Sequence, residues 1–267
     1  MPREVTTDSE VLDRLVAPAH KDVLDIGCGG GALARELASR GARVVALEIS
    51  AEQLAPALAR AADAAEPTPT ATATATGETI STTAETETTN LAAGTATAPT
   101  ARYLIGTAQD IPLDDSSIDI AIFMRTLHHV PQAELMQALG EARRVLRPDG
   151  VVYVAEPLTE GDYYELTSMV EDEFEVRQAA EKAVSQAGLA GLERVTTVEY
   201  DVRLCLADVA ALRARVVSVD PKRVGLFDAR ADEIAAAFAR LGEAGERPGE
   251  RCFQQPMRAD VLRPAQR

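Results

Sequence analysis

A strand that ends in a cluster of glycines is the feature that most constrains how this chain can fold. Residues 23–33 read VLDIGCGGGAL, an apolar run followed by a turn with four glycines, and a helix is predicted to begin at Ala32. Glycine lets the backbone turn sharply and lets a ligand approach without a Cβ in the way. The first N–H groups of the helix point back at the turn and carry partial positive charge. The segment therefore predicts a ligand-binding turn at the end of a buried strand.

A second apolar run follows and ends in a carboxylate. Residues 44–47 read VVAL, and Glu48 comes directly after them. A carboxylate at the tip of the second strand suits the two hydroxyls of a ribose, so the two segments together predict a nucleoside-binding crevice. A dinucleotide also fits, because its GxGxxG/A fingerprint can be read through Gly27, Gly29 and Ala32. An NAD-dependent dehydrogenase is therefore an alternative at this point.

Two segments further along the chain resemble one family. Residues 125–131, the histidine segment, read RTLHHVP after a predicted strand, and residues 141–157 read EARRVLRPDGVVYVAEP. With DIGCGGG and Glu48, they resemble the class I S-adenosylmethionine-dependent methyltransferases, in particular the group that includes quinone- and natural-product-modifying enzymes. Neither segment is expected in a dehydrogenase. The resemblance implies methyl transfer to an oxygen, nitrogen or carbon nucleophile of a small molecule, with S-adenosylhomocysteine as product.

The resemblance also implies which residues hold the cofactor, S-adenosylmethionine. They are Asp25, Gly27, Cys28, Gly29, Gly31, Glu48, Ile49, Thr107, Ala108 and Arg125. Asp25 can receive the ammonium of the methionine moiety, whereas a carboxylate there would repel a pyrophosphate. Glu48 is expected at the ribose and Ile49 against a face of the adenine. The family usually has an acid where this chain has Thr107, so a weaker adenine contact is expected, and a non-catalytic cofactor-binding scaffold stays open as a second function.

Two adjacent histidines are the candidates for catalysis. Imidazole titrates near neutrality, so His128 or His129 can act as a general base toward the acceptor, and His128 is preferred as the more acceptor-facing. The alternative is that one ring packs under the cofactor while the other is a structural donor. Glu156, Tyr163 and Tyr164 can line the acceptor pocket. Metal-dependent methyltransferases of the catechol type carry acids at this place, and because those acids are missing we expect no metal.

The order of predicted elements is that of a single α/β domain over residues 1–267. Alternating strands and helices predict a Rossmann-like, seven-stranded and mostly parallel sheet with helices on both faces and an antiparallel last strand, residues 252–262. Residues 66–100 form a low-complexity Thr/Ala-rich insert with few large side chains to bury, so a disordered loop is expected. Residues 207–245 are predicted as a helical insertion between the last two strands, in a position to act as an acceptor lid.

Charge and cysteine content limit the partners and the location. The formal net charge of −15 argues against a nucleic acid, because binding phosphates needs clustered Lys and Arg. No apolar run reaches the length of a membrane span, and the N-terminal residues lack a signal-peptide core, which favours the cytoplasm. Cys28, Cys205 and Cys252 are far apart and odd in number, so reduced thiols are expected. The expected partner is a small-molecule acceptor, and the protein is expected to be a monomer or homodimer.

Overall fold

Strands and helices alternate along most of the chain in the computed structural model, which describes residues 2–65, 101–218 and 220–265. The Thr/Ala-rich insert predicted at residues 66–100 lies outside the described residues. The strands are β1 (Glu4–Val5), β2 (Asp22–Ile26), β3 (Arg43–Glu48), β4 (Arg102–Ile105), β5 (Ile118–Met124), β6 (Leu146–Pro157), β7 (Leu192–Leu206), β8 (Glu243–Ala244) and β9 (Arg251–Pro264). The helices are α1 (Asp8–Val16), α2 (Ala32–Ser39), α3 (Ala51–Ala65), α4 (Leu135–Val145), α5 (Asp162–Ser168), α6 (Phe174–Ser185), α7 (Val209–Val217), α8 (Arg223–Ala229) and α9 (Ala231–Leu241).

The strands in the described part of the chain form one mixed sheet of nine, in the order β1-β7-β9-β6-β5-β2-β3-β4 with β8 paired to β9. β4, β3, β2, β5 and β6 are mutually parallel, and β9 is antiparallel to both β6 and β7. The predicted mostly parallel, Rossmann-like sheet with an antiparallel last strand is confirmed. The predicted count of seven is too low, because β1 and β8 have two residues each and so short a segment shows no alternation of side chains.

The order of the sheet reverses between β2 and β5. From β2 the chain moves outward through β3 to β4 and then returns to place β5 on the other side of β2. At such a switch point the loops that follow the two strands diverge and leave a crevice at their carboxyl ends. The glycine turn, residues 27–31, follows β2, and the histidine segment follows β5. The fold therefore brings the two sequence motifs to one crevice.

Apolar side chains on both faces of the sheet hold the helices against it. Leu24 and Ile26 of β2 belong to one buried cluster with residues of α4 and α6, whereas Val23 belongs to another with residues of α1 and α2. This division follows from strand geometry, in which successive side chains point to opposite faces. Leu37 of α2 and Leu139 of α4 are fully buried in these clusters. The prediction of helices on both faces is therefore confirmed.

Helices α7, α8 and α9 lie between β7 and β9 in the chain and share a third apolar cluster. α7 begins after Asp208, whose carboxylate accepts the N–H of Ala211 at 2.7 Å. Leu212 and Phe227 are buried in this cluster together with side chains of α5 and with Phe253 of β9. The helical insertion therefore packs against α5 and one end of β9.

A disulfide joins Cys205 and Cys252 at the base of this insertion. The two residues are 47 positions apart in the chain but are direct neighbours where β7 pairs with β9, with a Cα–Cα distance of 4.0 Å. The expectation of reduced thiols is wrong for this pair, because strand pairing joins cysteines that are distant in the sequence. Cys28 is the remaining free cysteine.

Candidate active site

The glycine turn after β2 folds back onto the tip of β3. The N–H groups of Gly27 and Cys28 both donate to the carbonyl of Leu47, at 2.7 and 3.0 Å. Gly27 has a left-handed backbone with φ of 73°. A Cβ at Gly27 would lie 2.2 Å from Cγ2 of Thr126, a residue of the histidine segment. Glycine is therefore required at this position by both backbone conformation and space.

Glu48 closes the turn from the end of β3. It is 5% exposed and accepts the N–H of Gly29 at 2.8 Å through Oε2 and the N–H of Ser50 at 3.1 Å through Oε1. Each carboxylate oxygen has two lone pairs, so both oxygens keep a free acceptor position. Glu48 therefore has the capacity to accept a pair of hydroxyls, and its contact with the ribose stays a prediction.

Asp25 lies at the end of β2 with an unsatisfied carboxyl oxygen. It is 2% exposed, and its Oδ2 has no hydrogen-bond partner among the described residues. Burial and the nearby charge of Glu48 raise the pKa of Asp25 to about 7, although the N–H of Ala34 favours the ionised form. An unpaired buried polar atom costs about 1–3 kcal/mol. A cationic ligand group beside Asp25 would remove this cost, and the ammonium of a methionine moiety is such a group.

A first cavity, of about 100 Å³, opens beside the tips of β2 and β3. Gly27, Ile49, Thr107 and Ala108 are four of the predicted cofactor residues that line it. Ile49 is 69% exposed and presents an apolar surface at this place. The cavity thus combines an apolar wall with a few polar groups, the usual composition of a small-molecule site.

Arg125 and Cys28, also predicted at the cofactor, contribute differently. The side chain of Arg125 forms an ion pair with Asp8 at 2.7 Å and lines a second cavity. The backbone N–H of Arg125 donates to the carbonyl of Ala155 at 2.7 Å and so stays at the tip of β5. Burial raises the pKa of Cys28 to about 12, so its thiol remains protonated and is a small turn residue rather than a nucleophile.

The second cavity has a volume of about 300 Å³ and lies between the histidine segment and the helical insertion. Charged residues are frequent in its wall, namely Arg125, Arg177, Arg215, Arg223, Glu171 and Glu173. Tyr163 of α5 and Val216 of α7 also line it. The insertion therefore forms one wall of this cavity, and its opening or closing as a lid remains a prediction.

Glu156 in β6 organises the histidine segment. Its Oε1 accepts the N–H groups of Thr126 at 3.1 Å and Leu127 at 2.7 Å, and its Oε2 is hydrogen-bonded to Nδ1 of His128. His128 is 4% exposed, and its Nε2 lies 3.9 Å from Glu173. Because the ring is buried between two carboxylates, His128 is placed to hold the segment in position.

His129 is the more exposed histidine and lines both the first and the second cavity. Its ring centroid lies 4.0 Å from that of His128. Although the residue as a whole is exposed, the protein atoms around it disfavour the charged form of the ring, and together with His128 they lower the pKa of His129 to about 4. The ring is therefore neutral at pH 7 and can accept a proton. His128 also lines the second cavity, although its contact with Glu156 leaves the residue buried, so the preference for His128 as the more acceptor-facing histidine stays a prediction.

Three side chains beside the second cavity are close enough to be considered as metal ligands. The ligand atoms of His128, His129 and Glu173 lie within 4.8 Å of one another. Glu173, however, is paired with Arg177 at 2.6 Å and with Arg223 at 2.5 Å. Burial alone would raise the pKa of Glu173, but the neighbouring positive charges outweigh it and lower that pKa to about 2. Two guanidinium groups at this carboxylate oppose a cation, and the metal-free site stays our prediction.

Several charged residues of the second cavity were not identified from the sequence. Glu173, Arg177, Arg215 and Arg223 lie on or beside α6, α7 and α8. Their spacing matches no motif, and in the sequence they cannot be distinguished from charges on a solvated helix face. The one signal that pointed to this region was the predicted helical insertion, which identified a segment but no residues.

Comparisons with known proteins agree with this geometry. Residues 24–154, which contain the glycine turn and the histidine segment, match the family model for a methyltransferase domain. An uncharacterised methyltransferase of Mycobacterium tuberculosis (strain ATCC 25618 / H37Rv) is 32% identical over 141 residues, which are 53% of this chain and 42% of the relative. A malonyl-acyl-carrier-protein O-methyltransferase of Pectobacterium atrosepticum is 33% identical over 159 residues, which are 58% of this chain and 47% of the relative. The matched part spans less than half the length of these curated relatives.

Solved structures share the fold over nearly the whole chain. A candidate methyltransferase of Bacillus halodurans has a TM-score of 0.58 at 16% identity, covering 98% of this chain and 100% of the other. The (4+2)-cyclase SpnF has a TM-score of 0.55 at 15% identity, covering 97% of this chain and 80% of the other. At these identities the likeness shows the fold alone.

The switch point, the glycine turn and the acidic tip of β3 define a nucleoside-binding α/β domain. With the match over residues 24–154, they identify this segment of the chain as an S-adenosylmethionine-dependent methyltransferase domain. The cofactor of this class fits the residues present. Among the described residues, Asp25 offers a buried oxygen without a hydrogen-bond partner, no atom other than those of its chain neighbours lies within 4 Å of the place where a Cβ on Gly29 would be, and Glu48 keeps free acceptor positions.

Proposed function

We propose that this protein transfers the methyl group of S-adenosylmethionine to a small-molecule acceptor in the second cavity. The observation that carries the proposal is the position of His129 in the walls of both cavities. A cofactor that extends from Asp25 and Glu48 into the first cavity would approach an acceptor in the second cavity at this residue. The volume of about 300 Å³ suits a small acceptor.

The residues of the chain would act mainly by positioning the reactants. When bound, S-adenosylmethionine supplies an activated methyl group that a nucleophile takes by direct displacement, leaving S-adenosylhomocysteine. Orientation of the reactants can remove roughly 7–11 kcal/mol of the barrier. Glu48 and the glycine turn would hold the cofactor, and neutral His129 would accept the proton that an oxygen or nitrogen acceptor loses. His128, bound by Glu156, would keep the neighbouring ring in place.

Glu48→Ala is expected to weaken the binding of S-adenosylmethionine by about 1–3 kcal/mol, because it removes the acceptor for the ribose hydroxyls. Isothermal titration calorimetry measures the change in Kd. Glu48→Gln keeps the shape of the side chain and separates loss of the ribose contact from loss of the turn. Glu52→Ala is the matched control, since Glu52 is an exposed carboxylate close to Glu48 in the chain but in the first turn of α3. An unchanged Kd in Glu48→Ala would remove this residue from the cofactor site.

A second candidate function is binding of the cofactor without catalysis. Thr107, which replaces the acid usual in the family, favours this alternative. Titration with S-adenosylmethionine, S-adenosylhomocysteine and NAD, combined with a screen of small metabolites for release of S-adenosylhomocysteine, separates the possibilities. Turnover supports the methyltransferase, binding of S-adenosylmethionine without turnover favours the scaffold, and binding of NAD alone indicates a dehydrogenase.

The proposal includes a small-molecule partner rather than a nucleic acid. The net charge of −15 supports this choice. In the part of the chain that the structure describes, every helix is too short or too polar to cross a bilayer. We also propose that the protein is a monomer or homodimer and that it is located in the cytoplasm. Because a disulfide is more usual in oxidising compartments, a test of location should record the thiol state of Cys205 and Cys252.

A further inference from the structure

The second cavity is rich in positive charge although the chain as a whole is acidic. Four arginines and two glutamates line the cavity of a chain whose net charge is −15. Most of this positive charge is neutralised by neighbouring carboxylates. Arg125 pairs with Asp8, while Arg177 and Arg223 share Glu173, and Arg223 also contacts the second glutamate of the wall. These three arginines therefore have little charge left for a ligand.

Arg215 on α7 differs from the other three arginines. Its Nε donates to the hydroxyl of Tyr163 at 3.1 Å, and within the described residues no carboxylate pairs with its guanidinium. The terminal nitrogens of a guanidinium present a planar set of N–H donors that matches the two oxygens of a carboxylate. Arg215 thus brings one uncompensated positive charge to the cavity wall.

Tyr163 provides a second donor beside Arg215. Its side chain lines the cavity and is 8% exposed. Since its oxygen accepts the hydrogen bond from Arg215, its own O–H hydrogen is left to donate to a ligand. The hydroxyl of Ser218 donates to the carbonyl of Arg215 at 2.8 Å, which stabilises the end of α7 that carries this group. The two donors converge on one part of the cavity.

We propose that the methyl acceptor carries a carboxylate, which pairs with the terminal nitrogens of Arg215 and accepts a hydrogen bond from the hydroxyl of Tyr163. This inference rests on the proposed function, because it names the chemical class of the acceptor. A single uncompensated charge suits a monoanion better than a dianionic phosphate. With its carboxylate at Arg215, a small acceptor occupies the same cavity that His129 lines. In this arrangement the helical insertion determines which acceptor binds, and methyl transfer takes place at the switch point of the sheet.

Benzoate and benzamide test this inference, because they have nearly the same shape and differ in charge. In ligand-observed NMR titrations of the full chain, benzoate is expected to bind about tenfold more tightly than benzamide. Arg215→Gln is expected to remove most of this difference, and Tyr163→Phe a smaller part. Arg213→Gln is the matched control, because Arg213 lies on the same helix but its guanidinium is paired with Asp228 at 2.7 and 2.9 Å.

Two results would overturn the proposal that the acceptor carries a carboxylate. One is benzoate that binds no better than benzamide, and the other is a preference for benzoate that survives Arg215→Gln. Phenyl phosphate serves as a third probe, and tighter binding of it than of benzoate, with the same dependence on Arg215, would replace the carboxylate by a phosphate group.

Measurements of cofactor binding and turnover keep the two proposals apart. If the protein prefers benzoate but binds no S-adenosylmethionine, the methyltransferase proposal fails and the anion site stands. If it releases S-adenosylhomocysteine with neutral acceptors and shows no preference for benzoate, the proposal of a carboxylate on the acceptor fails, whereas the proposed methyltransferase activity is supported.

Discussion

His129→Ala is expected to lower kcat by about 10²- to 10⁴-fold for a hydroxyl or other weakly nucleophilic acceptor, the usual contribution of a positioned general base. His129 is exposed in the walls of both cavities, whereas His128 is buried against Glu156. Release of S-adenosylhomocysteine at saturating cofactor measures the rate. Calorimetric titration should show that the variant still binds the cofactor, since the lost group acts on the acceptor.

The third histidine of the chain provides the control for this variant. His20 lies just before β2, and its backbone N–H donates to Gly41 at 3.2 Å, at the end of the strand opposite the glycine turn. His20→Ala should leave kcat unchanged. If His129→Ala also leaves kcat unchanged, no general base is needed at this position, and catalysis rests on orientation of the reactants alone.

The pH dependence of kcat should carry the signature of His129. Because the pKa of His129 is lowered to about 4, the neutral form that accepts a proton predominates from pH 8 down to about pH 5. Activity should then fall as the pH approaches 4, whereas a base with the ordinary histidine pKa of about 6.5 would lose activity more than two pH units earlier. A pH–rate profile, with circular dichroism at each pH to verify folding, checks this. Loss of activity near pH 6.5 would contradict the assignment.

Cys205→Ser is expected to lower the free energy of unfolding by about 2–4 kcal/mol in oxidising buffer, as removal of a disulfide that closes a long loop usually does. The loop of 47 residues includes the whole helical insertion. Cys205 is exposed and Cys252 is buried, so replacing Cys205 removes the bond with little loss of packing. Urea denaturation followed by circular dichroism gives the free energy.

Reduction and a second variant test the assignment of this effect to the disulfide. In buffer with a strong thiol reductant, wild type and Cys205→Ser should have similar stability. Cys28→Ser is the matched control, because Cys28 is a free cysteine in the glycine turn. Equal stability of wild type and Cys205→Ser in oxidising buffer would show that the pair does not stabilise the fold.

The parallel sheet and the cofactor side of the site follow largely from short stretches of sequence. The glycine turn, Glu48 and the histidine segment are each local, and each follows a predicted strand. In parallel strands the carboxyl ends meet at one edge of the sheet, so local patterns suffice to bring these motifs together. Backbone conformation at Gly27 is a local requirement as well. The sequence by itself therefore determined the class of fold and the class of cofactor.

The second cavity and the disulfide depended on contacts between distant parts of the chain. Strand pairing decided that Cys205 and Cys252 are joined, and the contact with Glu156 decided that His128 is buried while His129 is exposed. The insertion likewise brings Arg215 into a cavity with the histidines. Such relations arise from packing between helices and strands, and a helix charge has the same local pattern in a cavity as on a solvated face. For this reason only the tertiary structure decided which residues line the second cavity.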